Sequence, residues 1–589
     1  MLDDAQMKAV TASLGPTLVI ASPGSGKTTV IIERIKYLIN DLNIDPQQIL
    51  VITFTRDAAF QMKTRFEAGG EQTSSPVFGT FHSIFFHILS LEYGYTNANI
   101  LVGQNKANLI KKAFYMSEKQ MDFFPEFFKI FEEKMLVSRL SGEDISGGKL
   151  NSIISNYESL KRERNLIDFG DMIILALKMF RENPNILIKW QNRFKYLLVD
   201  EAQDMNSLQY ELVKLLSGAD QNVFVVGDED QSIYSFRGSD PGIMMRFESE
   251  FTETKLFKLE TNYRSTKTIV EGANNLIRRN KLRFDKNMVS FSDRDSILSV
   301  KSFRSGLDEA EYVARMIQDK IAEGYKTREI AVLYRNNNRV SLISSKLESL
   351  SIPFNIRRER LMQDIVLRSI NCVLRISGQT YNRGDIFLLL KMIDAENYRY
   401  LFREEEVDFD RILNTNLISE EKKIILRLQS ATKLMAKLEP FPLMVYMERS
   451  LKFEEFLRGY CKSSGLGEDA AIERFQSFVE MARGYKYVAD FDKAINDGEV
   501  HSLVRTDGVA LKTFHASKGL EYKVVFIIDA LEGITPSNKA LAQGNLEEER
   551  RMFYVALTRA KRECYICFPN QIGEKCYKKS RFIDELKIL

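Results

Sequence analysis

The amino-acid sequence predicts an α/β protein made of two parallel-sheet cores, each interrupted by a mainly helical insertion. Three observations carry this. Short, continuously apolar, β-rich runs alternate with helical patterns, as in parallel strands covered on both faces. Two long stretches, 83–165 and 375–500, lack such runs and are helix-like. The first is rich in Phe and Lys; the second carries clustered charge such as Arg403-Glu404-Glu405-Glu406. Finally, Thr80-Phe81-His82 in the first core is echoed by Thr513-Phe514-His515 in the second.

The elements follow in order. Residues 17–20 read as a strand ending in a glycine-rich turn, and Val30, Ile31, Ile35 and Leu38 continue as a helix. Residues 49–54 read as a buried strand and 58–66 as a helix. Two more buried strands are expected at 196–199 and 223–226, and the second core shows its own at 330–334 and 524–528. The first core therefore comprises 1–82 and 166–260 around the insertion 83–165. The second comprises 261–374 and 501–589 around 375–500.

Composition narrows the class. Hydrophobic residues are 44% and charged residues 28% of 589, ordinary globular usage that argues against long disorder or fibrous architecture. No apolar run reaches the length of a membrane span, so no membrane partner is expected. The opening Met1-Leu2-Asp3-Asp4 lacks a basic leader, and five cysteines suit a reducing, cytoplasmic setting. A net charge of +3 means that any polyanion must meet basic residues gathered in a cleft. Only four histidines, His82, His87, His501 and His515, argue against a multi-histidine zinc site.

The segment Ala21-Ser22-Pro23-Gly24-Ser25-Gly26-Lys27-Thr28 lies between a strand and a helix, where a phosphate loop belongs. Its glycines let backbone N–H groups turn toward phosphate oxygens, and the helix N-terminus favours anions. Lys27 is suited to the β- and γ-phosphates and the Thr28 hydroxyl to Mg²⁺. Asp200-Glu201-Ala202-Gln203-Asp204 follows the apolar run 196–199. At a strand end Asp200 suits Mg²⁺, and Glu201 can polarise water for in-line attack on a γ-phosphate.

These two motifs and Gly227-Asp228-Glu229-Asp230-Gln231-Ser232-Ile233-Tyr234-Ser235-Phe236-Arg237-Gly238 occur in order. So do Thr53-Phe54-Thr55, Gly79-Thr80-Phe81-His82-Ser83, Asn262-Tyr263-Arg264-Ser265 and His515-Ala516-Ser517-Lys518-Gly519-Leu520-Glu521. Glu547-Glu548-Glu549-Arg550-Arg551, Ala556-Leu557-Thr558-Arg559-Ala560 and Ser580-Arg581-Phe582-Ile583-Asp584-Glu585-Leu586 complete the set. The chain resembles the UvrD/Rep/PcrA group of superfamily 1A DNA helicases over nearly its whole length, the two insertions matching poorly.

The resemblance implies RecA-like motor cores, ATP and Mg²⁺ as cofactors, and 3′→5′ movement on single-stranded DNA with unwinding at single-strand/duplex junctions. It implies that Gln6 reads the adenine edge, Tyr263 stacks on the base and Gln231 senses the γ-phosphate or attacking water. Arg264 and Arg559 would act as arginine fingers from two sides of the cleft. Glu521 would touch the ribose or link the site to DNA, and Thr29 flanks the phosphate loop. Phe54, Tyr234 and Phe236, with Arg237, would stack bases. Thr55, Thr80, His82, Thr513 and His515 would hold phosphates or couple domain closure to strand movement.

Departures from the family pattern accompany the match. Ser22-Pro23 replaces Gly-Ala and removes one N–H; Thr29 stands where a basic residue is usual. Arg56-Asp57 replaces Asn-Lys, and Phe236 replaces Trp. The second insertion is short and lacks the relatives' Arg-Gly-Ile-Gly segment. In the late hairpin Gln571-Ile572-Gly573, Ile572 aligns with an aromatic pin that splits base pairs. The expectation is a competent translocase with modest unwinding of its own, helped by a protein partner. With the chain ending at Leu589, no fused nuclease or C-terminal tail is expected. An alternative is a DNA-stimulated ATPase subunit that strips proteins in a repair or defence assembly. RNA stays open as a track, since stacking and phosphate contacts do not exclude a 2′-hydroxyl. A scaffold without hydrolysis is opposed by Lys27, Asp200, Glu201, Gln231 and Arg559. Cys564-x-x-Cys567 lies in an apolar run read as a strand, so buried thiols are expected there. Trp190 is expected in the core.

Overall fold

The computed structural model describes residues 2–68, 74–117, 125–141, 149–294, 296–336, 340–356, 365–464, 468–496, 506–572 and 575–587. The chain divides into two compact units, Met1–Asp295 with Asn545–Tyr554, and Ser296–Gly544 with Val555–Leu589.

The first unit is built on a parallel sheet of β1 (Thr17–Ala21), β2 (Ile49–Thr53), β3 (Val77–Thr80), β4 (Tyr196–Val199), β5 (Val223–Gly227) and β6 (Lys255–Leu259), in the order β3-β2-β4-β5-β1-β6. Alternate residues of each strand go to opposite cores. Leu18, Ile20, Leu50 and Ile52 pack under the helices Phe81–Tyr93 and Phe169–Glu182. Val19, Ala21, Ile49 and Val51 pack with Val30, Ile31, Ile35 and Leu38 of the helix Lys27–Asn40. In the inner strands both faces are covered, so both positions of the pleat are mostly apolar.

Two further strands, β7 (Thr261–Thr266) and β8 (Val289–Ser292), form a separate parallel pair in the same unit. The expected division after residue 260 and this division by contacts differ over 261–294. The segment 261–294 packs with the first core, because Asn262 and Tyr263 bond to the phosphate loop and Lys286 fills an acidic cluster there. Residues 545–554 join it too.

The expected start of the first insertion also moves. The helix Phe81–Tyr93 belongs to the sheet's core, whereas a separate small core begins at Leu101 and includes Phe114, Phe131, Ile153, Tyr157 and Leu160. A buried ionic cluster ties it to the helix Phe169–Glu182. Asp168 meets Arg139 at 2.9 Å and the Tyr157 hydroxyl at 3.0 Å, and Lys161 meets Asp171 at 2.7 Å. Trp190 is buried as expected, its Nε1–H donating to Glu92.

The second unit holds β9 (Ile297–Ser305), β10 (Ile330–Tyr334), β11 (Phe354–Asn355), β12 (Val509–Thr513), β13 (Tyr522–Ile527), β14 (Ala560–Ile572) and β15 (Lys575–Cys576). The order is β11-β12-β10-β13-β14, with β9 parallel and β15 antiparallel to β14. Its helical insertion has a core running from Ile365 to Ile495, ten residues earlier than the expected start. The expected boundary at 500/501, with His501, lies outside the described residues. Cys564 and Cys567 are free and buried in β14, and burial pushes both thiols up. β14 and β15 form the expected late hairpin, pairing Ile572 with Lys575; Gly573 lies outside the described residues, as does Leu589. No described helix is long and apolar enough to cross a membrane.

Candidate nucleotide and nucleic-acid sites

Parallel strands deliver their loops to one edge, and in the first unit that edge collects the candidate residues. β1 is followed by 21–29, β2 by Phe54 and Thr55, β3 by Thr80 and His82, β4 by Asp200 and Glu201, β5 by Gln231 and Tyr234, and β6 by Tyr263 and Arg264. The carboxyl edge of an open parallel sheet is where ligands bind. β1 and β2 are separated by β5 and β4, roughly 14 Å at the usual strand spacing. The Phe54 loop therefore stands apart from the phosphate loop, while the loop after β5, next to β1, carries both Gln231 and Tyr234.

The loop after β1 turns on Gly24 (φ 68°) and Gly26 (φ 84°), left-handed conformations natural to glycine. A Cβ at Gly24 would lie 2.7 Å from the Arg264 Cβ, and one at Gly26 would lie 2.7 Å from Gln6 Nε2. Gln6 Nε2 donates to the Ser25 carbonyl at 2.8 Å, and its Oε1 accepts the Asp3 N–H at 3.0 Å. The Ser22 and Ser25 hydroxyls are buried and have no hydrogen-bond partner among the described residues. Buried orphan hydroxyls in a loop opening a helix suit a polyanionic ligand with many acceptor oxygens.

Lys27 Nζ lies 3.2 Å from the Glu201 carboxylate. Glu201 has φ 51°, a strained backbone for a non-glycine residue, of the kind that clusters at functional sites. Its carboxylate also accepts from Gln203 Nε2. The other end of the Gln203 amide accepts the Asp228 N–H at 2.8 Å, and its backbone carbonyl accepts from Ser232 Oγ at 3.0 Å. Asp200 is buried at the end of β4, and Thr28 stands in the first turn of the helix after the loop. This carboxylate and hydroxyl are hard oxygen donors that fit Mg²⁺.

Gln231 is buried and donates to Asp228 at 2.5 Å. Beside it lies a cluster that sequence reasoning missed. Asp228, Glu229 and Asp230 bring carboxylate oxygens within 4.8 Å of one another. Lys286 Nζ fills the cluster at 2.5, 2.9 and 3.3 Å, and Arg283 holds Asp230 at 2.9 Å. Burial and then the neighbouring carboxylates push the Glu229 carboxyl up, against the pull of Lys286. The cation already present is the protein's own ammonium.

Asn262 was also missed as an organiser. Its Nδ2 donates to the Pro23 carbonyl at 2.7 Å, and its Oδ1 accepts the N–H groups of Arg264 and Ser265. Tyr263 N–H donates to the Gly24 carbonyl at 3.0 Å. The β7–β8 pairing passes from Asn262/Ser290 to Thr266/Ser292, so Tyr263, Arg264 and Ser265 bulge over the loop. The Tyr263 hydroxyl donates to Asp3 at 2.5 Å.

On the same edge, Phe54 and Tyr234 stack with ring centroids 5.2 Å apart. Phe236 lies edge-on to Tyr234 at 5.9 Å and is 56% exposed, so it is not core. The Arg237 guanidinium sits 5.4 and 5.5 Å from the Tyr234 and Phe236 rings. Thr55 caps the helix Arg56–Glu67, and Thr80 caps Phe81–Tyr93 in a capping box with Ser83. His82 packs edge-on to Phe169, and burial, then Arg56, lowers its imidazole, which favours the neutral form.

In the second unit Thr513 caps the short helix Phe514–Ser517 just as Thr80 does, so the sequence echo marks the same strand-to-helix junction. Thr513 and His515 follow the carboxyl end of β12, whereas Glu521 and Arg559 precede the amino ends of β13 and β14. Glu521 meets Lys561 at 2.5 Å. The Arg559 guanidinium donates to the Val555 and Leu520 carbonyls and to Thr558 Oγ1.

Residues 2–252 match the UvrD/REP helicase N-terminal domain, and 257–396 with 448–571 match the UvrD-like helicase C-terminal domain. The chain belongs to the UvrD/Rep-like helicase family. The N-terminal match spans the first insertion, and the C-terminal match is interrupted over 397–447 within the second. The chain is 31% identical to a Bacillus subtilis protein named putative ATP-dependent DNA helicase YjcD, over 99% of this chain and 80% of that one. It is 30% identical to DNA helicase II of Haemophilus influenzae, over 99% and 87%. It is 28% identical to the ATP-dependent DNA helicase Rep of Buchnera aphidicola, over 100% and 97%.

Proposed function

We propose that this family member is an ATP-driven DNA helicase that moves 3′→5′ on single-stranded DNA and acts at single-strand/duplex junctions. The carrying observation is that one sheet edge presents both a phosphate loop with its acid pair and, on the loops after β2 and β5, an aromatic cluster of half-buried Phe54 and Tyr234 with exposed Phe236. Family membership and the names of the relatives support ATP and DNA as the ligands.

The triphosphate binds to the backbone N–H groups of 24–28, to the Ser22 and Ser25 hydroxyls and to Lys27. Gln6 and Tyr263 form the base side, and Thr29 and Ala21 flank the loop. Thr28 and Asp200 would hold Mg²⁺, which would neutralise phosphate charge. Lys27 exchanges Glu201 for phosphate oxygens, and Glu201, kept in place by Gln203, is released to accept the proton of the attacking water. Gln231 orients that water, and Arg264 offset the developing negative charge. Arg559 does the same only after leaving its partners at Val555, Leu520 and Thr558. Glu521 contacts the ribose once Lys561 yields it.

Bases stack on Phe54, Tyr234 and Phe236 with Arg237 beside them. Thr55, Thr80, His82, Thr513 and His515 meet phosphates at the helix starts that they cap or follow. ATP hydrolysis is coupled to movement along the strand. The β14–β15 hairpin carries Ile572, a smaller wedge than an aromatic ring, which supports competent translocation with modest unwinding unless a protein partner assists. A cytosolic location accompanies this reading.

The test is steady-state ATP hydrolysis with and without single-stranded DNA, with RNA of equal length as control. Strong stimulation by DNA alone is expected. Absent stimulation, or equal stimulation by RNA, would overturn the DNA track. A 3′-tailed duplex opened while a 5′-tailed one stays closed would support the polarity; the reverse would refute it.

A further inference from the structure

The base side of the phosphate loop carries a second ring with no role so far. Phe291 lies on β8, its centroid 5.0 Å from that of Tyr263, with the two planes 44° apart. Phe291 is 70% exposed and Tyr263 41%. Large apolar side chains held at this exposure on a folded surface keep area available for a ligand.

Their position is well fixed. The β7–β8 register slip throws Tyr263 over the loop, and Phe291 lies one residue beyond Ser290, the partner of Asn262. Tyr263 is held by its N–H on the Gly24 carbonyl and by its hydroxyl on Asp3. Asp3 in turn forms a reciprocal cap with Gln6, and Gln6 donates to Ser25 inside the loop. Phe291 is thus connected through one ring and two side chains to the residues that would grip a triphosphate. Burial and Asp3 push the Tyr263 phenol up to about 12, so the ring stays neutral.

We propose that Phe291 is a second base-binding residue, forming with Tyr263 an aromatic ledge for the nucleobase of the triphosphate. The inference rests on reading 21–28 as the phosphate loop. Aromatic faces gain from stacking without demanding a particular hydrogen-bond pattern. The ledge therefore raises affinity for a nucleoside triphosphate over a bare polyphosphate, favouring purines through their larger ring area.

The experiment measures binding of ATP and of inorganic tripolyphosphate, both with Mg²⁺, to the full chain by calorimetry. Phe291→Ala is expected to weaken ATP on the order of five- to tenfold and to leave tripolyphosphate unchanged. Phe291→Trp is expected to restore ATP. In turnover the change appears in KM and not in kcat. Unchanged ATP affinity in Phe291→Ala, or equal weakening of both ligands, would overturn the ledge. Lys27→Ala separates the two readings. If it still binds tripolyphosphate as the parent does, the phosphate loop itself is misassigned and the ledge falls with it. If it loses tripolyphosphate while Phe291→Ala keeps full ATP affinity, only the ledge is wrong.

Discussion

Replacing Glu201 by Gln removes a charge that pairs with Lys27 and, in the proposed mechanism, takes the proton of the attacking water. The Lys27–Glu201 separation is 3.2 Å, with side chains 12% and 25% exposed. Coulomb's law at an effective dielectric of about 20 gives roughly 5 kcal/mol at that distance. Desolvation and screening reduce the net worth of such a pair to about 1 kcal/mol. Glu201→Gln should therefore free Lys27 and tighten ATP binding about fivefold. Loss of the general base should meanwhile slow cleavage by about 10²- to 10⁴-fold. Calorimetric titration with ATP and single-turnover hydrolysis measure the two effects separately. Weaker ATP binding in a folded variant, or cleavage within tenfold of the parent, would refute the exchange of Lys27 from carboxylate to phosphate.

Three other outcomes are expected. Lys27→Ala should abolish ATP hydrolysis, and retained turnover would mean the site is misplaced. Phe54→Ala removes one half of the 5.2 Å stack with Tyr234 and should weaken oligo(dT) binding by about 1–3 kcal/mol; parent-like affinity in a filter-binding titration would count against the aromatic track. Asp168→Asn keeps the helix cap but removes the buried charge facing Arg139 and Lys161. Burial pushes this carboxyl up, but Arg139, Lys161 and Lys106 outweigh it and hold it below the usual carboxylate range. A depressed acid stabilises the fold above its unfolded pKa of about 3.9. The contribution is lost as pH falls through the folded value. Asp168→Asn should cost about 3 kcal/mol at pH 7, with the gap to the parent narrowing below about pH 4, as urea unfolding would show. A gap that does not change with pH would contradict the ionic assignment.

The strands at the heart of each sheet were legible because double-sided burial leaves little room for polar residues. Runs such as 49–53 and 223–227 announce themselves. β6 was not legible, since Lys255 and Lys258 interrupt its pattern at the sheet's edge, where one flank meets solvent. The phosphate loop and acid pair were readable from local spacing, and Phe54 and Tyr234 as candidate stacking residues from the resemblance, though not their contact with each other. Lys286 and Asn262 were not. Each acts through partners dozens or hundreds of residues away, and a lone Lys or Asn has no local signature. The start of the first insertion was misread because Phe81–Tyr93 is as rich in Phe as the segment beyond it. Which core a phenylalanine joins depends on the fold, not on composition.

An amide side chain has a donor end and an acceptor end, so Gln203 fits its slot in only one orientation. Its donor faces the carboxylate of Glu201, and its acceptor faces the N–H of Asp228. Turning the amide over would set two donors against each other at one end and two acceptors at the other. The amide thus links the Glu201 carboxylate to the start of the loop bearing Gln231 and Tyr234 in one sense only, much as a key fits a lock one way round. A glutamate in the same place would keep the acceptor for the Asp228 N–H but set a second carboxylate against Glu201, so the carboxylate beside Lys27 would lose the donor that holds it.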